Sequence, residues 1–241
     1  MSDESTSSLD SQPKWHPLPA RLRRIVGVLV EKAKTVPDSY PMTLNALKTG
    51  CNQKSNRYPQ MNLDADDLIE GLEQLREMGA VGEVQGDGRV AKYRHYMYDW
   101  LAVDKHEIAV MTELLLRGEQ TVGDLRTRAA RMESITDQAA LRPILQSLME
   151  KKLVVALTPE GRGQMVTHGL FSEGEMQKLR DRVAAAPPSI ESAEFQSRQP
   201  TPGRTVADEV ISELKAELGE LREQLDELRD DVRDVKERLQ G

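Results

Sequence analysis

The only cysteine of the chain, Cys51, lies in the stretch GCNQKSNRYPQMN, residues 50–62, among amide, hydroxyl and basic side chains. A lone cysteine among polar groups is one pattern of a nucleophilic thiolate. Leu44, Leu47 and Cys51 recur, however, at the spacing of one helix face, which predicts a thiol packed in a core. Cys51 also falls at the C-terminal end of that helix, where the helix dipole disfavours an anion. We therefore expect no catalytic role for this thiol.

The polar run after Cys51 is typical of a long connection between two helices. Asn52, Asn56 and the Tyr58-Pro59 pair supply turn chemistry. Lys54 and Arg57 are two candidate contacts to a phosphate backbone, and the competing interpretation is that they are solvated loop cations.

No catalytic constellation follows from the remaining residues. The sequence has no glycine-rich loop between a strand and a helix, no Ser-His-Asp spacing and no paired carboxylates beside a recognisable cleft. One cysteine and four scattered histidines give no metal-ligand spacing. We therefore expect a protein that is not an enzyme, with no catalytic residue, no metal and no cofactor.

Composition and charge narrow the class further. The 241 residues are 38% hydrophobic, 4% aromatic and 30% charged, which suits small helical domains and solvated helix better than a deep enzyme cleft. A net charge of −7 argues against a protein that coats nucleic acid non-specifically. The acidic, serine-rich N-terminus has no apolar signal region, and no run approaches the ~20 apolar residues of a membrane span. We expect a cytoplasmic protein without membrane contact.

Shifts in composition divide the chain into five parts. We expect a disordered tail at 1–17, a first domain at 18–100, a second domain at 104–180, a flexible linker at 184–205 and one helix at 206–240. The linker is rich in proline, serine and glycine and has no periodic apolar face.

The two predicted domains repeat one another. Each begins with an apolar helix, continues with a shorter helix introduced by threonine and a third helix, and ends in two short strands around a Gly-Arg turn, QGDGR or PEGRG. Three helices and a β-ribbon, read twice, predict tandem winged-helix domains. The predicted fold class is mainly α with small β-wings (α+β): two tandem winged-helix domains followed by a C-terminal coiled-coil helix.

Two longer motifs carry a family resemblance. CNQKSNRYPQMNL (51–63) and LLLRGEQTVGDLRTRAARM (114–132) resemble the YceH-like family of bacterial proteins, a domain of unknown function. The resemblance covers roughly residues 19–172 and implies two winged-helix domains, often followed by a coiled coil, in the bacterial cytosol. It brings no activity, ligand or catalytic residue. The second wing, EGRGQMVTHG, is less basic than is usual for that family, which weighs against a phosphate contact by this wing.

The third helix of the first domain would be the recognition helix of a winged-helix DNA reader. Asp64 as N-cap and Asp67 three residues later mark its start. Its core face is predicted to hold Leu68, Ile69, Leu72 and Leu75, and its opposite face holds only carboxylates, Asp66, Glu70, Glu73 and Glu77. Such a face is repelled by a phosphate-lined groove. Two interpretations stay open: an ordinary solvated face, or a docking face for a basic protein partner.

The second domain has no such acidic face. Its second helix, predicted at 122–132, and its third helix, predicted to start or kink at Pro143, expose mainly basic and amide side chains. The candidate DNA-binding residues of this domain are Arg126, Arg128, Arg131, Arg142, Gln146 and the wing-tip Arg162. The competing interpretation is an ordinary surface pair between Asp124 and Arg128, worth about 0.3–0.5 kcal/mol.

The first β-ribbon alternates basic and apolar faces. In VAKYRHYMYDWL, Lys92, Arg94 and Tyr96 share one face, and the intervening residues share the other. Basic residues with an aromatic on a ribbon are able to touch a nucleic-acid backbone, although a solvated outer face is the commoner outcome. His95 is expected to be packed rather than a ligand.

The C-terminal stretch shows a heptad pattern. Apolar residues alternate at spacings of three and four: Ile211, Leu214, Leu218, Leu221, Leu225, Leu228, Val232, Val235 and Leu239. Opposite charges at the flanking positions, such as Glu217 and Arg222, favour a parallel pair of chains. We expect a homo-oligomer, most simply a dimer, with a trimer, a solvated single helix or an intramolecular clasp as alternatives.

Two functional hypotheses follow from this pattern. The first is a non-enzymatic regulator or adaptor that binds duplex DNA weakly through the second domain. The alternative is a protein-interaction scaffold without direct DNA contact, similar to the tandem winged-helix accessory subunits of bacterial condensin. Local charge discriminates between them, because a basic face favours the first and an acidic or apolar groove favours the second.

Overall fold

Two successive segments with the same order of elements make up the fold in a computed structural model, which describes residues 14–85 and 90–185. Each segment runs helix, two-residue strand, helix, helix and two further strands. The described residues therefore form a mixed α+β fold that is mainly helical and has two small antiparallel sheets. This agrees with the predicted α+β class.

The bounds of the elements are as follows. The first segment contains α1 (Ala20–Thr35), β1 (Met42–Thr43), α2 (Leu44–Asn52), α3 (Ala65–Glu77), β2 (Val81–Gln85), β3 (Ala91–His95) and a short helix α4 (Met97–Leu101). The second contains α5 (Lys105–Arg117), β4 (Gln120–Thr121), α6 (Val122–Ala129), α7 (Gln138–Glu150), β5 (Val154–Ala156), β6 (Met165–His168) and a final helix α8 (Glu173–Ala185).

Both sheets have three strands in equivalent orders. The orders are β1-β3-β2 and β4-β6-β5, so the two-residue strand of each segment pairs with the last strand of its ribbon. Met42 lies opposite Tyr93 in the first sheet, and Gln120 lies opposite Val166 in the second. The predicted ribbons are present. The third strands were not predicted, because two residues are too few to show an alternating pattern.

Side-chain caps explain where the helices begin. Thr43 and Thr121 each accept a hydrogen bond from the backbone N–H three residues on, at 3.3 and 3.2 Å, so the short helices begin after threonine as predicted. Asp64 and Asp67 form a reciprocal capping box at the start of α3, with distances of 2.8 and 3.1 Å.

The start of α7 differs from the prediction. The helix begins at Gln138, because the Asp137 carboxylate accepts a hydrogen bond of 2.8 Å from the backbone N–H of Ala140. Pro143 lies inside the helix rather than at its start. A proline there lacks the N–H that would bind the carbonyl of Ala139. Both residues are exposed, so water is able to bind that carbonyl instead.

Helices α1 and α5 pack against each other at the centre of the fold. The buried core of α1 includes Leu22, Ile25, Val26, Val28, Leu29 and Val30. The buried core of α5 includes Ile108, Val110, Met111, Leu114, Leu115 and Leu116. Both segments contribute to one continuous buried apolar cluster and fall within one compact unit. The two predicted domains thus share a core.

Elements at both ends of the described chain extend beyond the predicted domain bounds. Trp15 packs against the core and the His16 ring meets the Trp100 ring edge-on at 5.7 Å, although both residues fall in the predicted tail. Helix α8, which was not predicted, is attached to α1 by a two-fold Arg23–Glu175 ion pair with distances of 2.8 and 3.1 Å. It is also anchored by the buried side chain of Leu179.

Within residues 14–85 and 90–185, no helix combines the length and the apolarity that a membrane span requires. The predicted coiled-coil helix at 206–240 and nearly all of the predicted linker lie outside the described residues.

Candidate nucleic-acid interface

The outward face of α7 carries two exposed members of the predicted DNA-binding set. Leu141, Leu145 and Leu148 anchor the helix in the core. On the opposite side, Arg142 and Gln146 are exposed, and the Arg142 side chain is 79% accessible. A row of polar side chains four residues apart results: Gln138, Arg142, Gln146 and Glu150. We refer to the first three as the α7 stripe.

Gln138 was missing from the sequence-based site. Its position four residues before Arg142 becomes visible only when the helix starts at Asp137, whereas Pro143 had suggested a later start. The Thr-Asp pair before the apolar run was the available signal, because aspartate is a preferred N-cap.

The turn of the second ribbon lies close to α7. Arg162 is exposed in this turn, and the residues on both sides of it, Gly161 and Gly163, have positive φ angles of 150° and 78°. The guanidinium of Arg142 lies 3.7 Å from the carboxylate of Glu160. This exposed ion pair links the turn to the helix, and it also neutralises part of the positive charge of the face.

The arginines of α6 interact mainly with the protein itself. Arg126 donates to the carbonyls of Ile135 and Thr136, at 3.4 and 3.2 Å, and so braces the connection to α7. Arg128 donates to the side-chain oxygen of Gln120 at 2.8 Å. The alternative pair between Asp124 and Arg128 is not the one observed, because the Asp124 carboxylate accepts from the hydroxyl of Thr121 at 2.8 Å.

Arg128 and Arg131 also face a buried carboxylate. Glu113 of α5 forms an ion pair with Arg117 at 3.0 Å, and both side chains are mostly enclosed. Burial raises the pKa of Glu113, while the nearby charges of Arg117, Arg131 and Arg128 oppose that rise. Burial lowers the pKa of Arg117. Arg128 of α6 and Arg131, just after that helix, therefore help to balance an internal charge. Arg131 is nevertheless exposed.

The prediction that Arg57 contacts phosphate is wrong for this structure, because the residue is only 5% exposed. Its guanidinium binds the carboxylate of Glu31 at 2.5 and 3.1 Å and the carbonyl of Gly50 at 3.0 Å. Lys54, in the same connection, is exposed as expected.

The connection from α2 to α3 also joins the two segments. The backbone N–H of Tyr58 donates to the carbonyl of Leu116 at 2.9 Å, and Arg117 donates to the side-chain oxygen of Asn56. This connection therefore joins the two segments through its inner side, while Lys54 and Tyr58 on its outer side are exposed to solvent.

The outward face of α3 is acidic, as predicted. Its four carboxylates are all exposed: Asp66, Glu70, Glu73 and Glu77. Arg21 of α1 contacts one end of this face, at 3.2 Å from Asp67 and 3.0 Å from Glu70, and this hydrogen bond lowers the pKa of Glu70. Ile69 was predicted to lie in the core and is instead 41% exposed, because it points between the acidic and buried faces.

A polar cluster between α5 and α7 is satisfied within itself. The carboxylate of Glu107 accepts from the Ser147 hydroxyl at 2.6 Å and from the Lys151 ammonium at 2.7 and 2.8 Å. It also accepts from the backbone N–H of Asp104 at 2.8 Å, as part of the cap of α5. The described part of the chain contains no group of three or more His, Cys, Asp or Glu side chains able to hold a metal ion.

Comparison with known proteins places both segments in one family. A family model described as a protein of unknown function, DUF480, matches residues 18–164. A UPF0502 protein of Rhodopirellula baltica is 48% identical over 222 residues, covering 89% of this chain and 91% of that protein. A UPF0502 protein of Geotalea uraniireducens is 45% identical over 168 residues, covering 68% and 76%. One of Koribacter versatilis is 42% identical over 152 residues, covering 61% and 71%. The chain therefore belongs to the DUF480 family of bacterial proteins of unknown function, whose relatives here carry the name UPF0502.

Proposed function

We propose that this chain is a non-enzymatic, cytoplasmic regulator or adaptor that binds duplex DNA weakly through its second segment. The order of elements supports a tandem winged-helix assignment, because each segment has three helices followed by a β-ribbon whose last strand pairs with a short strand before the second helix. In such a unit the third helix is the one that enters the major groove. That helix is α3 in the first segment and α7 in the second.

The single observation that carries the proposal is the contrast between these two helices. The outward face of α3 carries four carboxylates beside Ile69. The row along α7 carries Gln138, Arg142 and Gln146 and a single carboxylate, Glu150, which accepts a hydrogen bond of 3.2 Å from Gln146. Arginine reads guanine edges and glutamine reads adenine edges in the major groove, while carboxylates are repelled by the flanking phosphates. DNA contact is therefore assigned to α7, with Arg162 of the ribbon turn as an adjacent phosphate contact.

Weak binding is expected from the charge around the stripe. Arg142 is partly neutralised by Glu160 at 3.7 Å, and Arg126 and Arg128 are engaged with protein acceptors. Few phosphate contacts give a small electrostatic contribution to affinity, since affinity rises with the number of counterions released. Lys54 and Arg131 are exposed and could add contacts at the margin.

The test compares Arg142→Ala and Gln146→Ala with the parent chain, using fluorescence anisotropy on labelled duplexes at several salt concentrations. Loss of Arg142 should weaken binding and reduce the salt slope by about 1, and loss of Gln146 should alter sequence preference with little change of slope. Arg180→Ala, an exposed arginine of α8, is the matched control. Equal effects of the Arg142 and Arg180 variants would remove α7 from the proposed interface.

A second candidate function, a protein-interaction scaffold, is favoured by the surface of α3. The four exposed carboxylates lie along one side of the partly exposed apolar side chain of Ile69, which is a combination that suits a basic amphipathic partner. Partners captured from the native cytosol should survive nuclease treatment under this function and should be lost after combined Glu70→Gln, Glu73→Gln and Glu77→Gln substitution. Under the DNA-binding function the same variant should bind duplex at least as well as the parent.

Self-association is proposed on the heptad pattern alone, because the residues concerned lie outside the described part of the chain. A parallel coiled coil would bring several weak DNA contacts together and so raise their effective concentration. Light scattering of the full chain and of a chain ending near Ala186 tests this proposal. A monomeric full chain, or a truncated chain that associates equally well, would contradict it.

A further inference from the structure

The outer face of the first β-ribbon is a basic surface that the α7 stripe does not explain. Lys92, Arg94 and Tyr96 are all exposed, whereas Tyr93 and His95 between them are partly buried. Residues two apart on a strand point the same way at ~6.7 Å spacing, so the two cations stand side by side along β3. We call Lys92, Arg94 and Tyr96 the outer ribbon face.

The geometry of this face depends on a glycine. The Tyr96 ring lies over Gly82 of the neighbouring strand, where a Cβ atom would come within 2.5 Å of the ring. The Tyr96 ring therefore fits over this strand because Gly82 has no side chain. The guanidinium carbon of Arg94 lies 5.3 Å from the centre of the Tyr96 ring, which is a cation–π contact. Arg94 is thus held in position before any ligand arrives, which lowers the entropic cost of binding.

The cations of the outer ribbon face have no acidic partner among the described residues. Neither Lys92 nor Arg94 forms an ion pair there, whereas Arg142 of the α7 stripe is paired with Glu160. Among ribbon residues 81–85 and 90–95 the one carboxylate is Glu83, which lies opposite Tyr93 and so on the other face, where it binds Arg76 at 2.9 Å. Within the described part of the chain, the positive charge of the outer ribbon face is therefore not neutralised by an ion pair.

The equivalent ribbon of the second segment offers no such surface. In β6, the successive residues Val166, Thr167 and His168 are all buried, so both faces of the strand are covered. The two segments thus differ in opposite senses: the first has an acidic third helix and an open basic ribbon, and the second has a polar third helix and a covered ribbon.

We propose that the outer ribbon face binds the phosphate backbone of duplex DNA, as a second contact separate from the α7 stripe. Charge complementarity supports this partner, because guanidinium and ammonium groups aligned along a strand match a row of phosphates. An anionic membrane is a poorer fit, since the Tyr96 ring rests on Gly82 and is only 40% exposed, which leaves it unsuited to insertion between lipids.

The test measures anisotropy of a labelled mixed-sequence duplex with the full-length Lys92→Ala/Arg94→Ala variant. Loss of two phosphate contacts should weaken binding about tenfold at low salt and reduce the salt slope by about 2. The matched control is Lys178→Ala/Arg180→Ala, which removes one exposed lysine and one exposed arginine from α8. It makes the same change in net charge and should weaken binding less than about twofold.

A second pair of variants tests the support of Arg94 without changing charge. Tyr96→Ala should weaken duplex binding about threefold because Arg94 loses its stacking partner, and Tyr96→Phe should bind as the parent does. Equal affinities of these two variants would contradict the positioning of Arg94 by the ring.

Three results would overturn the outer ribbon face as a DNA contact. The first is a parent chain that does not bind duplex at low salt. The second is a Lys92→Ala/Arg94→Ala variant whose duplex affinity equals that of its control. The third is a Lys92→Ala/Arg94→Ala variant that loses binding to phosphatidylserine vesicles and keeps its duplex affinity. A clear effect of the ribbon variant together with unaltered binding by Arg142→Ala would instead keep this contact and remove the α7 contact.

Discussion

Gly27 of α1 lies directly against Leu116 of α5, so closely that a Cβ atom at Gly27 would stand 2.9 Å from Cδ2 and 3.1 Å from Cγ of Leu116. A helix–helix contact at this distance requires a residue without a side chain. The crossing of α1 and α5 joins the two segments, and it therefore sets the position of the acidic α3 relative to the α7 stripe.

Substitution of Gly27 should separate these helices. We expect Gly27→Val to lower the free energy of unfolding by about 2 kcal/mol, because overpacking of a buried contact outweighs the gain in helix propensity. Gly174 of α8 has no atom within 4 Å of an added Cβ, so Gly174→Val should be neutral or slightly stabilising. Urea unfolding of the two variants measures the difference, and equal stabilities would show that the α1–α5 contact is looser than described.

The partly buried His95 and the buried His168 predict a loss of stability in mild acid. Burial lowers the pKa of His95 to about 4 and that of His168 to about 3, from an ordinary value of 6.5. The unfolded chain therefore binds protons below pH 6.5 that the folded chain does not bind until pH 4 or 3. The free energy of unfolding should fall with decreasing pH in that window, by up to about 1.4 kcal/mol per pH unit for each histidine.

The shifted pKa values of two carboxyl groups, Glu175 and Glu113, also affect the pH dependence of stability. The hydrogen bond from Arg23 lowers the pKa of Glu175 to about 2, so its contribution is lost only as pH falls below 4.5. Burial raises the pKa of Glu113, so this carboxyl opposes the trend and makes the fall in stability less steep. Urea midpoints between pH 7 and 5 should therefore decrease. A His95→Asn/His168→Leu variant should show a flatter profile, and a profile as steep as the parent's would refute the assignment.

The thiol of Cys51 should be unreactive in the folded chain. The side chain is fully buried, and burial raises its pKa to about 12. Labelling by a thiol reagent at pH 8 should therefore be slow in buffer and fast in urea, because it requires opening of the core. Cys51→Ser should cost about 1–3 kcal/mol of stability through a buried hydroxyl without a partner. Rapid labelling of the folded protein would contradict the core position.

Local signals in the sequence were sufficient for much of the fold. The threonine caps at Thr43 and Thr121, the acidic cap at Asp64 and the alternation along β3 each depend on neighbours in the chain, and the structure confirms all of them. The burial of Cys51 followed from helical spacing in the same way. Such features are read correctly because the interactions that create them span only a few residues.

Features that depend on distant residues were missed. The crossing of α1 and α5 at Gly27 is a contact between segments that no local pattern reveals. Burial of Arg23 and Arg24 in α1 was also hidden, because a charged side chain is enclosed only when remote carbonyls or carboxylates receive it. Arg24, 1% exposed, donates to the carbonyls of Cys51 and Pro59 at 2.9 and 2.6 Å. The burial of Arg57 was missed for the same reason, because its partner Glu31 lies 26 residues away in the sequence.

Arg57 should therefore support the fold rather than bind DNA. We expect Arg57→Met to lower the free energy of unfolding by about 3–5 kcal/mol, because the carboxylate of Glu31 and the carbonyl of Gly50 would lose a buried donor. Adding Glu31→Leu to that variant should recover part of the loss, since no unpaired carboxylate then remains. Lys54→Ala, in the same connection but exposed, should change stability by no more than about 0.5 kcal/mol. Urea unfolding of the parent and the three variants measures the loss of stability and its partial recovery, and duplex affinity is measured where each variant is fully folded. An Arg57→Met chain as stable as the parent would contradict the role of Arg57 in stability. If that stable chain also bound DNA more weakly, Arg57 would belong to the DNA interface.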